Sequence, residues 1–338
     1  MGSPRKKKNF SKIKMNNLKI NTHAPIGIVG LGLMGSSIAT ALILYGQKVV
    51  GLSPVNSKID SEAPDRIKKS LAECKREGLT KKGSDELMEK IHFTAEYKDL
   101  GECWLVMECV VEDLVTKREV YSKIEDNVAD TVIITSNTSA IPISILQNNL
   151  RLKNRFFGMH WAEPAYTSRF LEIICGEKSP VETGEQLHSI AKEWGKEPTL
   201  VRKDIRGFIT NRIMYAMYRE AMHLVENGYA TIEDVDRACK NDGGHWMTFC
   251  GLFRYMDLTG LKAYHAVMKD LFPELSNKTT VPKLIDDIAK KGGNGISNGV
   301  GFYNYSKEEA QKWESAFERF SFDINKVSLK YSKKTSKI

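Results

Sequence analysis

Two residues of the sequence, His160 and Glu172, have the side chains of a general base and its charged partner. His160 ends the apolar segment 156–160, and Glu172 lies within a second apolar segment, 170–174. A neutral imidazole, with a pKa of about 6.5, can take a proton from a hydroxyl group near neutral pH. A carboxylate in an apolar segment is costly to bury unless it is paired. We therefore predict that Glu172 pairs with His160, orients its ring and stabilises the imidazolium.

Each of these residues also has a simpler interpretation. A histidine at the end of a strand can be an ordinary hydrogen-bonded side chain, and a glutamate between apolar residues can face solvent on an edge strand. The placement of the two residues in the sheet decides between the interpretations.

A glycine-rich segment near the start of the chain predicts a binding site for a dinucleotide. Residues 26–35 read Ile-Gly-Ile-Val-Gly-Leu-Gly-Leu-Met-Gly, an apolar strand that runs into Gly-x-Gly-x-x-Gly. Gly30 allows the tight turn, Gly32 lets the backbone approach a pyrophosphate, and Gly35 lets the helix pack closely on the sheet. The free N–H groups at the start of the helix, predicted over 33–44, then face the anion.

The elements that must position these residues alternate between strands and helices in the first half of the chain. Helical spacing covers the polar stretch 60–90 and the segment 114–124. Strands are predicted at 26–29, 48–52, 104–111, 132–136, 156–160 and 170–174. This alternation predicts an α/β Rossmann-type, doubly wound and mostly parallel sheet over residues 25–205.

The second half of the chain has only helical patterns, which predicts an all-α C-terminal domain over residues 206–330. The segment 208–225 is apolar around most of its circumference, so we expect a buried helix there. Further helices are predicted at 232–239, 261–272, 281–289 and 308–320.

The charge of the chain is concentrated in its two ends. The formal net charge is +8, but seven basic residues in 1–24 and three in 331–338 leave −2 on residues 25–330. We predict that both ends are solvated, disordered tails, and we expect neither a nucleic-acid nor a membrane partner. The six cysteines form no Cys-x-x-Cys pair, and no apolar stretch is long enough to span a bilayer. With no apolar secretion-signal core at the N-terminus, these features favour buried, reduced thiols and a cytoplasmic location.

Five further motifs, taken with the glycine-rich segment, resemble the L-3-hydroxyacyl-coenzyme A dehydrogenase family over nearly all of residues 25–306. The motifs are Glu108-x-x-x-Glu112-Asp113-x-x-x-Lys117; Ser136-Asn137-Thr138-Ser139; Gly158-x-His160-x-x-x-Pro164 with Leu171-Glu172-Ile173-Ile174; Gly207-Phe208-Ile209-x-Asn211-Arg212; and Asp257-Leu258-x-Gly260-Leu261 with Gly301-Phe302-Tyr303-x-Tyr305. The resemblance implies reversible oxidation of a 3-hydroxyacyl-coenzyme A with NAD, a role in fatty acid metabolism, and a homodimer. It implies no metal.

The same resemblance implies roles for individual residues. The implied catalytic residues are His160, Glu172, Ser139 and Asn211. The implied cofactor-binding residues are Gly30, Gly32, Leu33, Met34, Gly35, Ser53, Glu112, Lys117 and Asn137. Alternatives remain open: Ser139 can belong to a capped strand–helix turn, and Glu112 and Lys117 can belong to an exposed helix start. Asn211 can be a surface amide, although its apolar helix favours a buried hydrogen-bonding role.

Several departures from the family pattern keep other substrates and cofactors open. Ser53 stands where the second strand of a Rossmann unit usually ends in an acid, so NADP is an alternative to NAD, with Lys58 as a source of charge. Glu163 replaces the usual Asn before Pro164, and Arg206 replaces a common Pro. The coenzyme A contacts of the family do not align clearly with residues 70–78. The alternative functions are dehydrogenation of a free polar hydroxy acid, gulonate- or carnitine-like, and, more remotely, a non-catalytic structural role.

Overall fold

The structure is a computed structural model, and it describes residues 20–53 and 61–335. Most of the predicted basic tail 1–24, and Lys58, lie outside the described residues. The described chain divides into two units. The first unit holds the residues up to Trp161 together with Phe170–Asp204, and the second holds Ala162–Arg169 and the chain from Ile205 onward.

The first unit is built on one eight-stranded sheet with the strand order β3-β2-β1-β4-β5-β6-β7-β8. The strands are β1 (Ile26–Val29), β2 (Val49–Leu52), β3 (Ile91–Thr94), β4 (Leu105–Glu108), β5 (Ile133–Ser136), β6 (Phe156–Trp161), β7 (Leu171–Cys175) and β8 (Thr199–Val201). Strands β1 to β6 are parallel, β7 is antiparallel to β6, and β8 is parallel to β7. The predicted doubly wound, mostly parallel sheet is confirmed.

The helices of the first unit connect these strands. They are α1 (Leu33–Leu44), α2 (Ala63–Arg76), α3 (Ser84–Met88), α4 (Leu114–Asn127), α5 (Ile143–Gln147) and α6 (Val181–Ala191). Every residue of β1, β2, β4, β5, β6 and β7 is buried. Burial on both faces of the sheet explains why these strands read as nearly continuous apolar segments.

Some element boundaries differ from the sequence prediction. The strand predicted over 104–111 ends at Glu108, because the N–H group of Val110 donates to the Glu108 carboxylate, 2.7 Å away, instead of to a neighbouring strand. The stretch 60–90 holds two helices, and β3 begins at Ile91, directly after it. Strands β3 and β8 were not predicted, because each has only three or four residues and mixes polar with apolar side chains.

The second unit is helical in its described residues, which confirms the all-α prediction. Its helices are α7 (Thr210–Glu226), α8 (Ile232–Asn241), α9 (Gly243–Met247), α10 (Leu252–Thr259), α11 (Leu261–Leu271), α12 (Lys283–Lys290) and α13 (Lys307–Thr335). The last helix is longer than the predicted 308–320, so residues 331–335 of the predicted basic tail are helical. Apolar residues at 320, 324, 327 and 331 continue the helical spacing and account for the extra turns.

The prediction that α7 is a buried helix is wrong for the described chain. No residue of α7 is buried, and Tyr215 and Met217 are 67% and 43% exposed. Apolar residues around a helix show that it needs covering surfaces, but they do not show that its own chain supplies them.

Two further sequence expectations concern the thiols and the membrane. The six cysteines are free, but Cys239 is exposed and is not the buried thiol that was expected. Within residues 20–53 and 61–335, no helix is both long and apolar enough to cross a membrane.

Candidate active site

His160 and Glu172 occupy opposite positions in the antiparallel ladder formed by β6 and β7. Glu172 Oε2 lies 2.9 Å from His160 Nδ1, and the Glu172 side chain is fully buried while that of His160 is 10% exposed. The Phe170 ring packs edge-on against the imidazole, with centroids 5.4 Å apart. A carboxylate accepts the Nδ1 proton, which leaves the lone pair on Nε2 to act as a base. The structure therefore pairs the two residues as the sequence predicted.

The glycine-rich turn has the form that a pyrophosphate requires. Gly30 has φ +92°, in the left-handed region that glycine tolerates, and a Cβ on Gly35 would overlap the carbonyl oxygen of Gly30. A Cβ on Gly32, the N-cap of α1, would meet no atom within 4 Å. Among the described residues the space beside Gly32 is open, and Gly32, as the N-cap of α1, has no side chain to cap the N–H groups of Leu33, Met34 and Gly35. These residues fit the cofactor that the sequence predicts.

Asn137, predicted to bind the cofactor, directly follows β5 and forms hydrogen bonds to the ends of β4 and β6. Its N–H donates to the carbonyl oxygen of Glu108 at 2.9 Å, and its side-chain Oδ1 accepts a hydrogen bond of 2.9 Å from the N–H of Trp161. Trp161 is the residue after His160. The Asn137 side chain thus holds the end of β6 that carries the base, and its Nδ2 remains the group that can donate to a ligand.

A buried carboxylate that the sequence analysis gave no role, Glu108, lies at the end of β4. Lys117 Nζ donates to both of its oxygens, at 2.8 and 3.0 Å, and the hydroxyls of Tyr121 and Ser136 each donate at 2.7 Å. Burial, and next the Glu108 carboxylate, raise the pKa of Tyr121 well above its usual value, so its hydroxyl stays a donor. The signal that could have identified Glu108 is a glutamate inside a continuous apolar segment, 104–111.

Glu112 organises the loop that follows β5. Its Oε1 accepts from the Thr138 hydroxyl and from the N–H groups of Ser139 and Ala140, the latter two at 3.1 and 3.3 Å. Its Oε2 lies 3.2 Å from Lys117 Nζ. Burial acts to raise the pKa of Glu112, but the Thr138 hydroxyl and the Lys117 ammonium together lower it below its usual value. Lys117 is 1% exposed, so the alternative of an exposed helix start does not hold for this residue.

The remaining predicted site residues lie in three separate places. Ser139 is exposed in the loop after β5, and Asn211 lies in the first turn of α7, in the second unit, where it is half-buried instead of fully buried. Ser53 follows β2, and its N–H donates to the carbonyl oxygen of Thr94 at 3.0 Å. Its hydroxyl oxygen is buried and has no hydrogen-bond partner within the described part of the chain. No group of His, Cys, Asp and Glu residues that could hold a metal ion occurs among residues 20–53 and 61–335.

Both halves of the chain match the domain models of one protein family. Residues 25–205 match the model described as 3-hydroxyacyl-CoA dehydrogenase, NAD binding domain, and residues 207–305 match the model described as 3-hydroxyacyl-CoA dehydrogenase, C-terminal domain. A probable 3-hydroxybutyryl-CoA dehydrogenase of Deinococcus radiodurans is 31% identical over 280 residues, which are 82% of this chain and 99% of that protein.

A second kind of relative acts on a different compound. The 5-formyl-3-hydroxy-2-methylpyridine 4-carboxylate 5-dehydrogenase of Mesorhizobium japonicum is 31% identical over 303 residues, 89% of this chain and 97% of that protein. The crystal structure of a dehydrogenase of this name, described as an NAD+-dependent dismutase, has a TM-score of 0.83 and 30% identity. The superposition covers 90% of this chain and 98% of the chain in that crystal structure.

Proposed function

Because this chain belongs to the 3-hydroxyacyl-CoA dehydrogenase family and is an NAD-dependent oxidoreductase, we propose that it reversibly oxidises a 3-hydroxyacyl-coenzyme A to the 3-ketoacyl form. The observation that carries this proposal is the buried pair of His160 and Glu172 at the end of β6. This reaction is a step of fatty acid metabolism. The free cysteines favour a reducing, cytoplasmic compartment.

The pair supplies the proton transfer that alcohol oxidation needs. His160 Nε2 takes the hydroxyl proton as the carbinol carbon loses its hydride, and the imidazolium that forms is stabilised by the Glu172 carboxylate. Since both residues sit on paired strands, the ring is held in place before substrate arrives. Ser139, in the loop held by Glu112, and Asn211, in the second unit, are proposed to contact the reacting oxygen.

NAD, when bound, supplies the hydride acceptor. The residues that fit it are Gly30, Gly32 and Gly35 at the pyrophosphate, Ser53 at the adenosine ribose, and Glu112, Lys117 and Asn137 towards the nicotinamide. The match to an NAD-binding domain decides between the two cofactors that Ser53 left open, in favour of NAD. A serine hydroxyl can bond to the ribose hydroxyls in place of the usual acid.

A second candidate substrate is a small free hydroxy acid. Three features favour it: a relative of comparable identity is a pyridine carboxylate dehydrogenase, Glu163 departs from the family pattern, and α13 begins after the family match ends at residue 305. Asn325 of α13 donates to the carbonyl oxygen of Thr167, and the Phe322 ring packs against Tyr166 with centroids 6.3 Å apart. The helix thus contacts the 162–169 loop that carries Glu163.

A homodimer formed through the second unit completes the proposal. Large apolar side chains of this unit are exposed, among them Tyr215, Phe253, Trp313 and Phe317 at 60% or more. Apolar surface of this extent is typical of a protein interface. Measurement of the molar mass in solution tests this point, and a monomer at micromolar concentration would contradict it.

The substrate proposal is tested by incubating the purified protein with NAD and each candidate alcohol while the absorbance of reduced nicotinamide is followed. We expect turnover of 3-hydroxybutyryl-coenzyme A and little turnover of free 3-hydroxybutyrate, carnitine or gulonate. The His160→Gln variant is the control for contaminating dehydrogenases. Turnover of a free hydroxy acid without any thioester turnover would replace the first candidate with the second.

A further inference from the structure

Two carboxylates and one ammonium group, from the end of β4, the loop after it and α4, form one charged cluster. Lys117 Nζ lies 2.8 Å from Glu108 and 3.2 Å from Glu112, so two carboxylates share one ammonium group. We call Glu108, Lys117 and Glu112 the β4 cluster. Its net charge is −1 when all three groups are ionised.

The contacts of Glu108 are those of a hydrogen-bond acceptor paired with a cation. Its oxygens accept from the Lys117 ammonium, from the hydroxyls of Tyr121 and Ser136 and from the N–H group of Val110. Glu108 is fully buried, so no solvent screens it. It has no route to touch a ligand, and its effect on one must act through its charge or through Lys117.

The order of the strands places this cluster beside the nicotinamide half of the cofactor site. The pyrophosphate site lies at the turn after β1, and the base lies at the end of β6. Strands β4 and β5 lie between β1 and β6 in the sheet. Because a dinucleotide crosses the carboxyl ends of the strands and its reacting ring must reach the base, that ring passes over the ends of β4 and β5. Glu112, 41% exposed, presents the cluster's charge on that side.

We propose that the β4 cluster favours the oxidised over the reduced cofactor, because its net negative charge attracts the positively charged nicotinamide ring of NAD+ and not the neutral ring of NADH. Glu108 is what makes the cluster negative, since Lys117 and Glu112 alone are neutral. The cluster thereby sets the potential of the bound couple. This role concerns the cofactor alone and holds whichever alcohol is the substrate.

The test measures the dissociation constants of NAD+ and NADH separately, by calorimetry and by nicotinamide fluorescence, in the absence of substrate. Glu112→Gln and Glu108→Gln each keep one side-chain oxygen that can accept hydrogen bonds and replace the other with a donor NH2 group, and each makes the cluster neutral. We expect the ratio Kd(NADH)/Kd(NAD+) to fall about tenfold in each, because a neighbouring charge commonly changes a charge-dependent equilibrium by about tenfold or more. A tenfold fall corresponds to about 30 mV in the potential of the bound two-electron couple.

A double variant separates charge from structural damage. Glu108→Gln combined with Lys117→Met removes the buried ion pair but restores a net charge of −1 through Glu112, so the ratio should return to within about threefold of the wild type. Glu119→Gln, an exposed residue of α4, is the control for a change of total charge and should leave the ratio unchanged.

The results that overturn the proposal differ from those expected of a purely structural role. If the single variants weaken both forms of the cofactor by the same factor, the cluster only maintains the fold of the site. If the double variant does not restore the ratio, or if Glu119→Gln lowers it as much as Glu108→Gln does, the local charge is not the cause. Circular dichroism and the melting temperature identify any variant that is unfolded. If Glu108→Gln does not fold, Glu112→Gln, at a half-exposed position, gives the decisive comparison with the wild type.

Discussion

His160 and Glu172 lie directly opposite each other on paired strands, 2.9 Å apart between Nδ1 and Oε2. Directly opposed residues of an antiparallel pair have their Cβ atoms about 5 Å apart on the same face, so the backbone itself brings the two side chains together. The nine residues that join the strands need not be ordered for the pair to form. The base is therefore preorganised by the sheet, and its partner is held where water does not reach.

We expect His160→Gln to reduce kcat by about 10²–10⁴-fold, because loss of a positioned general base has this effect. Affinity for NADH should change less than about threefold, since the glycine-rich turn is untouched. Steady-state kinetics and fluorescence titration measure the two quantities. His92→Gln, at a largely exposed histidine of β3, is the matched control and should keep wild-type activity. Activity of the His160 variant within a few-fold of wild type would exclude His160 as the base.

Glu172→Gln should lower kcat and move the acid limb of the pH–rate profile to lower pH. The amide can still bond to the ring, but it cannot balance the charge of the imidazolium, so protonation of the base becomes less favourable. The profile of kcat/KM is the measurement, and a variant with reduced rate but an unmoved limb would show that Glu172 acts only in packing.

The pairing of His160 and Glu172 was predictable, but its geometry was not. The cost of burying a carboxylate indicated that Glu172 needs a partner. Whether β6 and β7 are neighbours, and in which register, depends on the whole sheet, and the local pattern carries no information about it. The sequence likewise predicted the parallel strands β1, β2, β4, β5 and β6, because burial on both faces leaves continuous apolar segments.

The failures of prediction also have physical causes. Glu108 lies in one of the sequence motifs, but no role could be predicted for it. Its partners come from a helix, which holds Lys117 and Tyr121, and from a different strand, which holds Ser136. The exposure of α7 was missed because an apolar helix looks the same whether its own chain or a second one covers it.

Gly32→Ala should weaken NAD binding without loss of stability, whereas Gly35→Ala should lower the stability of the fold. A methyl group at Gly32 enters open space, so the melting temperature should stay within about two degrees of wild type while NAD binding weakens at least tenfold. A methyl group at Gly35 overlaps the Gly30 carbonyl and should lower the melting temperature clearly. Thermal unfolding and calorimetry measure both variants. Unchanged NAD affinity in Gly32→Ala would place the pyrophosphate elsewhere.

Glu163→Asn distinguishes the two candidate substrates. The loop 162–169 that carries Glu163 is held by α13, and the variant restores the residue that the family commonly has before Pro164. For a 3-hydroxyacyl-coenzyme A we expect kcat/KM to stay within about threefold of wild type, because the thioester offers no cation at the reacting end. For a cationic hydroxy acid, loss of a charge-assisted hydrogen bond of about 1.5–3 kcal/mol should lower kcat/KM by roughly one to two decades.

The comparison needs both substrates and a control for charge. Glu314→Gln removes one carboxylate from the exposed part of α13, in the same unit, and should alter neither reaction. With wild type, Glu163→Asn and Glu314→Gln assayed side by side, a selective loss on the free acid would identify Glu163 as its recognition group. A loss of thioester turnover of ten-fold or more in Glu163→Asn alone would instead place this carboxylate in the thioester reaction, because removing a charge that makes no contact with the uncharged reacting end of the thioester should not slow its oxidation to that extent.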